Sequence, residues 1–387
     1  MLVLNRSIAE VIVVRRTIAC PEFHSANSES PKRAAPGLNR TLTLIQAQGG
    51  ATTLDARARV ANSGQDTTLQ DGSILTFTAR IASAEAIAHD IRLLALESAD
   101  GSGLPLYEPG AHIDVLLPDG SARQYSLIDP FLPNAAYRIA VARDEQGRGG
   151  SKFLHDRVGV GDVLQISTPR CHFPVVIDSP HSMLFAGGIG ITPVWCMAQA
   201  LHAAGKDWSL HFGARSAGHA SLLEDIRRMA DQRLYTYFNL EGDEPMDIAA
   251  LVATAPQGTH FYCCGPAPMI AAFREACQNV AAPQVHFEQF TAAAPAALDG
   301  GFDIELAKSG RTVRVNEGES ILDALGRAGL RMSYSCREGV CGACETAVLS
   351  GAPDHRDAIL TEEERAAGNT MMICCSGAIS EKLVLDL

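Results

Sequence analysis

Four cysteines near the C-terminus have the spacing of iron–sulfur ligands. Cys336, Cys341 and Cys344 form a C-x4-C-x2-C run, and Cys374 follows after 29 intervening residues. This is the spacing of plant-type [2Fe–2S] sites, where each iron takes two thiolates beside two bridging sulfides. Structural zinc is the alternative, but zinc usually uses paired C-x2-C knuckles and only one such pair is present. The pattern therefore favours a [2Fe–2S] cluster.

The cysteine loop contains two glycines and is followed by a neighbouring fifth cysteine. Gly339 and Gly342 permit torsions and close N–H approaches that side chains would block, so we expect them to let the loop curl around the cluster. Cys375 adjoins Cys374, and adjacent residues do not readily face one cluster. Order and spacing favour Cys374 as the fourth ligand.

A second group of residues fits a flavin site. Arg123, Tyr125 and Ser126 lie in the run Arg-Gln-Tyr-Ser-Leu, which we place at the end of the third predicted strand. A flavin needs an aromatic wall, a hydroxyl near N5 and a cation for its phosphate. Tyr125, Ser126 and Arg123 supply these in turn, although a strand with an exposed arginine is the alternative.

A glycine turn downstream fits the flavin phosphate. The run Gly-Arg-Gly-Gly-Ser precedes a predicted helix, Lys152–Asp156. Gly149 and Gly150 expose backbone N–H groups at this helix start, where an anion is favoured. Arg148 adds a positive charge and Ser151 a hydroxyl. In this order, the two motifs together predict a flavin.

Two further glycine turns fit a dinucleotide. Residues 186–193, Ala-Gly-Gly-Ile-Gly-Ile-Thr-Pro, follow a strand and open a helix, so Gly187, Gly188 and Gly190 let the backbone approach a pyrophosphate. Residues 262–266, Tyr-Cys-Cys-Gly-Pro, form a second strand-to-helix turn, and two such turns can flank one ligand. The spacing differs from the G-x-G-x-x-G fingerprint. Alone, each turn is also compatible with a tight connection.

Strand and helix patterns divide the chain into five segments. Residues 1–72 show no sustained period, and we expect a largely disordered extension without a role in the chemistry. Residues 73–176 carry short strands separated by turns, which predicts an antiparallel β-barrel. Residues 177–290 alternate strands with helices, which predicts a parallel α/β sheet. Residues 291–301 have linker composition, and 302–387 hold the cysteine cluster.

Composition excludes two classes of protein. The 387 residues carry a net charge of −12 and contain no Lys/Arg-dense stretch, which argues against nucleic-acid binding. No apolar run approaches the ~20 residues of a membrane helix. Eleven cysteines, five of them between Cys336 and Cys375, indicate a cofactor site in a reducing compartment, and we expect a cytoplasmic protein.

The motifs together resemble the phthalate dioxygenase reductase family, which includes the vanillate demethylase reductases. The resemblance rests on Tyr334–Cys344, on Asp354–Asp357 and on Met372–Ser376, and with the upstream motifs it covers about 74–387. It implies a multidomain α/β and β fold: a flavin-binding barrel, a nucleotide domain and a β-grasp ferredoxin domain. Residues 1–72 resemble nothing we recognise.

The resemblance also implies the flavin and its contacts. It implies FMN held by the two flavin motifs, whereas FAD relatives in the wider ferredoxin–NADP reductase superfamily use a similar first motif. It implies backbone contacts to the flavin ring from Val141 and Ala142. It further implies that Phe290 covers the ring, with a core phenylalanine as the alternative.

For the nicotinamide, the resemblance implies a site at the two glycine turns. It places Thr192 and Cys264 beside the nicotinamide, where they orient it, and makes Gly265 and Pro266 part of the second turn. The family mostly uses NADH. Arg215 follows the second strand of this region, where it is able to pair with the 2′-phosphate of NADPH, so NADPH stays the alternative.

The order of sites implies an electron path. A nicotinamide delivers two electrons as hydride, a [2Fe–2S] cluster takes one at a time, and a flavin bridges the two without an acid–base residue. The resemblance implies a separate Rieske-type terminal oxygenase as the acceptor, an aromatic-acid oxygenase or O-demethylase. A cytochrome P450 or diiron hydroxylase as acceptor, or a non-catalytic electron-transfer module, are the alternatives.

Overall fold

The structure is a computed structural model. It describes two short strands at 43–45 and 51–53, and residues 75–132, 135–291 and 294–387. The chain divides into two units at residue 60, and each is described by itself. In the first, β1 (Thr43–Ile45) pairs antiparallel with β2 (Ala51–Thr53). The expectation of disorder for 1–72 otherwise falls outside the described residues.

The larger unit begins with a six-stranded antiparallel sheet in the order β6-β5-β8-β3-β4-β7. Its strands are β3 (Thr76–Ala88), β4 (Ile91–Ser98), β5 (His112–Leu116), β6 (Ala122–Ser126), β7 (Tyr137–Ala142) and β8 (Val163–Ser167). The chain brings the two edges together, because the Ile128 N–H just after β6 donates to the carbonyl of Arg138 in β7 at 3.1 Å. The sheet curls into the expected barrel.

Helix α1 (Gly150–Asp156) lies between β7 and β8. The guanidinium of Arg92 in β4 holds its C-terminal end by donating to the carbonyls of Leu154 at 2.7 Å and Val158 at 2.6 Å. Carbonyls at a helix end have no partner within the helix, so one arginine satisfies groups that burial would otherwise leave unpaired. The barrel therefore fixes α1 and the glycine turn before it.

A five-stranded parallel sheet follows, in the order β11-β10-β9-β12-β13. Its strands are β9 (Ser182–Gly187), β10 (Trp208–Ala214), β11 (Leu234–Phe238), β12 (His260–Cys264) and β13 (Val285–Glu288). Its helices are α2 (Ile191–Ala203), α3 (Leu223–Ala230), α4 (Ile248–Ala253) and α5 (Ala267–Ala276). The strand order reverses between β9 and β12, and ligands of such sheets bind at that switch point, beyond the carboxyl ends of the strands. Both glycine turns lie there.

The C-terminal part is a mixed sheet in the order β15-β14-β20-β16-β18, with β14 and β20 parallel. Its strands are β14 (Phe302–Leu306), β15 (Thr312–Val315), β16 (Glu345–Ser350), β18 (Thr370–Met372) and β20 (Lys382–Leu385). Strands β17 (Pro353–Asp354) and β19 (Gly377–Ala378) pair antiparallel in a separate two-stranded sheet. Helix α6 (Ile321–Arg327) is N-capped by Ser320, and α7 (Glu362–Ala367) begins with a capping box. The predicted multidomain fold class, including the ferredoxin part, is confirmed.

The structure corrects several predicted elements. Residues Arg123–Ser126 belong to a strand of their own, β6, and not to the end of the third predicted strand, because a turn at Pro118–Gly120 lets the chain pair back on β5. Strands β11 and β13 and helix α4 were not predicted from the sequence. β11 and β13 are the edge strands of the parallel sheet and are only partly buried, so they lack the continuous apolar run of the central strands.

None of the helices in the described ranges is long and apolar enough to cross a membrane.

We expect Leu94→Ala to destabilise the barrel by about 3 kcal/mol, because it leaves a cavity in a fully buried position. Val163→Ala is the matched control, since Val163 lies in the same sheet with 53% of its surface exposed. Calorimetric unfolding of both variants measures the difference. Equal losses in the two variants would contradict the barrel core described here.

Candidate functional site

The two flavin motifs converge on one place. The Arg123 side chain crosses Gly150, where an added Cβ would lie 2.7 Å from Arg123 Cγ. Its guanidinium also donates to the carbonyl of Arg148 at 3.5 Å. Burial, and next the positive charge of Arg148, lower the pKa of Arg123. The Arg123 guanidinium beside the N–H groups of a helix start suits a phosphate group.

The other predicted flavin residues lie at the ends of β6 and β7. Tyr125 is partly buried against the barrel core, and burial raises the pKa of its phenol, which stays neutral. Ser126 ends β6 and is buried, while Val141 and Ala142 end β7. The Ser151 hydroxyl accepts from the backbone N–H of Asp144 at 3.0 Å, which braces the glycine turn.

Phe290 lies just beyond β13 with 38% of its surface exposed. The alternative that it is a core residue is therefore wrong. An exposed aromatic ring at this position is available to cover a flavin, and that contact stays a prediction.

The two nucleotide turns are in direct contact. A Cβ on Gly190 would lie 2.2 Å from the carbonyl oxygen of Cys264, so only glycine permits this approach. Thr192 is buried and its hydroxyl donates to the Ile189 carbonyl at 3.0 Å, which closes the first turn. Gly265 and Pro266 continue from Cys264 into helix α5, with Pro266 as its N-cap. The two turns thus meet at the sheet's switch point.

Four thiols converge in the C-terminal part. Cys336, Cys341, Cys344 and Cys374 are all buried. Hydrogen bonding to Cys374, and next burial, raises the pKa of the Cys344 thiol, and a hydrogen bond with Cys336 does the same for Cys341. The backbone N–H of Glu338 donates to Cys336 Sγ at 3.2 Å. Converging thiols with N–H donors in the loop fit an iron–sulfur cluster.

Comparison with known proteins agrees with this geometry. Residues 304–378 match the family described as "2Fe-2S iron-sulfur cluster binding domain", and residues 184–275 match "Oxidoreductase NAD-binding domain". The chain is 47% identical over 300 residues to the phenoxybenzoate dioxygenase subunit beta of Ectopseudomonas oleovorans, covering 78% of this chain and 94% of that protein. The structure of phthalate dioxygenase reductase is 35% identical, with a TM-score of 0.61, and the match covers 81% of this chain and 98% of that one.

The chain belongs to the phthalate dioxygenase reductase family. It is an oxidoreductase with NAD-binding and [2Fe–2S] domains. A self-sufficient cytochrome P450 monooxygenase of type IV is also similar, at 38% identity and a TM-score of 0.74 over 84% of this chain. The present chain spans 43% of that longer protein.

In this reductase, the loop around the cysteines curls as expected. Gly339 and Gly342 both have positive φ, 68° and 69°. A Cβ on Gly342 would lie 2.8 Å from the ring of His172, which follows the barrel. The absence of a side chain at Gly342 therefore lets the barrel segment approach the cluster loop.

Cys374 and Cys375 face different ways. Cys374 shares a hydrogen bond with Cys344 in the thiol group. The Cys375 thiol instead lies near the carbonyl of Met372 at 3.7 Å and under Gly339, where an added Cβ would be 2.5 Å from its sulfur. This geometry favours Cys374 as the fourth ligand of the iron–sulfur cluster.

The Arg148 side chain does not point toward the predicted flavin phosphate site. Its guanidinium pairs with the Glu338 carboxylate at 2.9 Å and donates to the Cys336 carbonyl at 3.3 Å. Only its backbone carbonyl faces Arg123. Arg148 therefore joins the flavin turn to the cluster loop, and a contact from its side chain to the flavin phosphate stays a prediction.

Glu288 is a site residue that the motifs did not identify. It ends β13 directly opposite Cys264 in the strand register, and its Oε2 has no solvent access and no hydrogen-bond partner among the described residues. Burial raises the pKa of this carboxyl to about 8. Its neighbourhood depends on strand pairing, so no local pattern around Glu288 reveals it.

We expect Cys375→Ala to keep the iron–sulfur cluster and Cys374→Ala to lose it, because only Cys374 faces the other three thiols. Iron and sulfide analysis of the purified variants, with the visible absorbance of the cluster, measures the outcome. A Cys375→Ala protein without a cluster, beside a Cys374→Ala protein that retains one, would reverse the assignment.

We expect the unmodified protein to lose stability relative to Glu288→Gln as the pH rises from 5 to 8. The folded protein keeps the Glu288 proton up to about pH 8, whereas the unfolded chain releases it near pH 4.3. The loss is at most ~1.4 kcal/mol per pH unit in this window. Thermal unfolding at pH 5 and 8 measures it, with the exposed Glu97→Gln as control; a constant difference between Glu288→Gln and the unmodified protein would contradict the raised pKa.

Proposed function

We propose that this protein is the reductase component of a Rieske-type oxygenase system. Electrons pass from NADH to FMN in the barrel, then to the [2Fe–2S] cluster and on to a separate terminal oxygenase. The observation that carries the proposal is the contact of the cluster loop with both flavin motifs. Arg148 of the glycine turn reaches the Cys336 carbonyl at 3.3 Å, and Gln124 of β6 reaches Ser335 at 2.6 Å.

The residues of the chain bind and orient the reactants in this proposal. When bound, the flavin and cluster supply the redox chemistry, accepting a hydride from the nicotinamide and releasing its electrons singly. Burial holds the pKa of the Cys264 thiol well above its usual range, so it stays protonated and serves to position the nicotinamide. Thr192 fixes the facing turn. Proximity and orientation supply most of the rate.

The flavin contacts that we propose come from Arg123, Tyr125, Ser126, Val141, Ala142, Arg148, Gly149, Gly150 and Ser151. The nucleotide contacts that we propose come from Gly187, Gly188, Gly190, Thr192, Cys264, Gly265 and Pro266. The glycine turn before α1 offers a phosphate site within the barrel, which the phosphate of either flavin fits, and FMN is proposed over FAD from the family resemblance. Arg215 is exposed at the end of β10, and NADH remains the proposed donor over NADPH.

The proposed domain boundaries are 73–176 for the flavin barrel, 177–290 for the nucleotide domain and 302–387 for the ferredoxin domain. The linker covers 291–301. The three sheets fall within these ranges, which supports the division. The need for free thiols before cluster assembly supports a cytoplasmic location.

Two classes of protein are candidates for the electron acceptor. Similar proteins are named as dioxygenase and O-demethylase components, which supports a separate oxygenase with an aromatic substrate. The likeness to a self-sufficient cytochrome P450 favours a second candidate, a P450 acceptor. The same electron path up to the cluster serves either acceptor.

We expect an anaerobic NADH titration to bleach the flavin and iron–sulfur bands together, with an endpoint at about 1.5 NADH per protein. A flavin takes two electrons and the cluster one, and each NADH supplies two. Flavin released by heating is identified as FMN or FAD by mass. NADPH is the matched control donor.

Flavin bleaching without cluster reduction would refute the proposed path, and no bleaching in the loaded protein would refute the nicotinamide site. Release of FAD would replace FMN in the proposal. The NADH-reduced protein is then mixed with a Rieske-type oxygenase and with a P450. Electron transfer to the P450 alone would favour the second candidate.

A further inference from the structure

The flavin-motif strand β6 has two faces with different partners. Side chains alternate along a strand, so Gln124 points away from its neighbours Arg123 and Tyr125. Arg123 lies on the glycine turn of α1, and Tyr125 packs against the barrel core. Gln124 instead extends to the cluster loop and contacts Ser335. The middle residue of the flavin motif therefore belongs to the junction with the ferredoxin part.

The amide of Gln124 is held in one orientation. Its Nε2 donates to Asp114 Oδ1 at 2.8 Å and to Ser335 Oγ at 2.6 Å, so both of its protons are used. Asp114 stands opposite Gln124 in the β5–β6 register. This directs the amide hydrogen bond at the residue immediately before the cluster ligand Cys336.

Asp114 is itself fixed by a buried charge pair. Its side chain is 1% exposed, and its Oδ2 accepts from the Arg170 guanidinium at 2.7 Å. The Arg170 side chain is 9% exposed. A buried carboxylate needs such pairing, and the pair leaves Asp114 Oδ1 free to accept from Gln124. The chain from Arg170 through Asp114 and Gln124 to Ser335 is thus rigid along its length.

The contact through Gln124 differs from the second tether between the barrel and the loop. Arg148 and Glu338 form an ion pair whose side chains are 47% and 38% exposed, and such pairs contribute little. Ser335 is 7% exposed, so loss of its amide partner leaves a shielded hydroxyl unpaired. Of these two contacts, Gln124–Ser335 and Arg148–Glu338, the shielded one therefore constrains the position of the loop more.

We propose that Gln124, through Ser335, is a positioning residue that sets the distance and orientation of the cluster relative to the flavin. The inference rests on the proposed function, because it assumes a flavin at β6 and a cluster at Cys336. Transfer of an electron between the two groups weakens steeply as their separation grows. A displacement of about 1 Å is enough to slow a positioned reaction substantially.

The test compares Gln124→Ala and Ser335→Ala with Gln165→Ala in the loaded, full-length protein. Gln165 is a matched control, because it lies in β8 of the same sheet and its amide donates to Thr78 at 2.7 Å on the exposed surface. Anaerobic stopped-flow mixing with NADH follows flavin reduction, and freeze-quench EPR follows cluster reduction. We expect unchanged flavin reduction in all three variants and cluster reduction slowed about ten-fold in Gln124→Ala and Ser335→Ala only.

Two further variants separate positioning from general damage. Ser335→Thr keeps the hydroxyl and is expected to restore the rate. Gln124→Glu cannot donate when ionised and adds a charge beside Asp114, so it is expected to be at least as slow as Gln124→Ala. Cluster reduction in the double variant of Gln124→Ala with Ser335→Ala should be no slower than in either single variant, because both substitutions remove the same hydrogen bond.

Readouts other than rate complete the test. The EPR spectrum and reduction potential of the cluster should not change in Gln124→Ala, while amide hydrogen exchange of residues 335–344 should speed up. Cluster reduction as fast as in Gln165→Ala would overturn the proposal, and so would a shifted cluster potential that accounts for the slower rate. If the unsubstituted protein fails to reduce its cluster after flavin reduction, the proposed function fails and the inference falls with it, whereas equally fast variants overturn the inference alone.

Discussion

The apolar junction between the barrel and the parallel sheet is the contact on which the rest of the site depends. Ile91, Ile128 and Phe173 from the barrel segment share one buried cluster with Ile191 and Trp195 of helix α2. Each such side chain contributes about 1.5–3 kcal/mol on burial. Because α2 begins at the first nucleotide turn, this junction fixes the nucleotide turns relative to the ends of β6 and β7. The flavin motifs of the barrel and the nucleotide turns of the parallel sheet therefore keep their relative positions through this junction.

The ferredoxin part is attached in a different way. Its own apolar cluster is separate from that of the junction. Polar contacts join it to the barrel and the α/β part, among them the Arg274–Glu362 pair at 2.6 Å and the Gln124–Ser335 bond. Exposed ion pairs contribute ~0–1 kcal/mol and net hydrogen bonds ~0.5–1.5 kcal/mol. The cluster loop is thus oriented by directional contacts, while the flavin and nucleotide halves are joined by apolar burial.

The parts of the site that the sequence predicted are those in which local spacing decides the geometry. The three close cysteines sit in one loop, and the loop's glycines have the left-handed torsions that its curl requires. The two flavin motifs and two nucleotide turns likewise lie at strand ends, where a short run fixes the backbone. Distinguishing Cys374 from Cys375 needed only their order, and the structure orients them accordingly.

The parts that escaped prediction depend on contacts between distant segments. Glu288 becomes a buried carboxyl because β13 pairs with β12, and the edge strand β13 has no periodic signal of its own. Gln124 lies between Arg123 and Tyr125 in the flavin motif, and its contact with Ser335, 211 positions away, appears only in the structure. The flavin motifs alone therefore indicate a candidate cofactor site, but not which partner each of their side chains contacts. Contacts such as Gln124 with Ser335 and Arg148 with Glu338 become visible only in the packed structure.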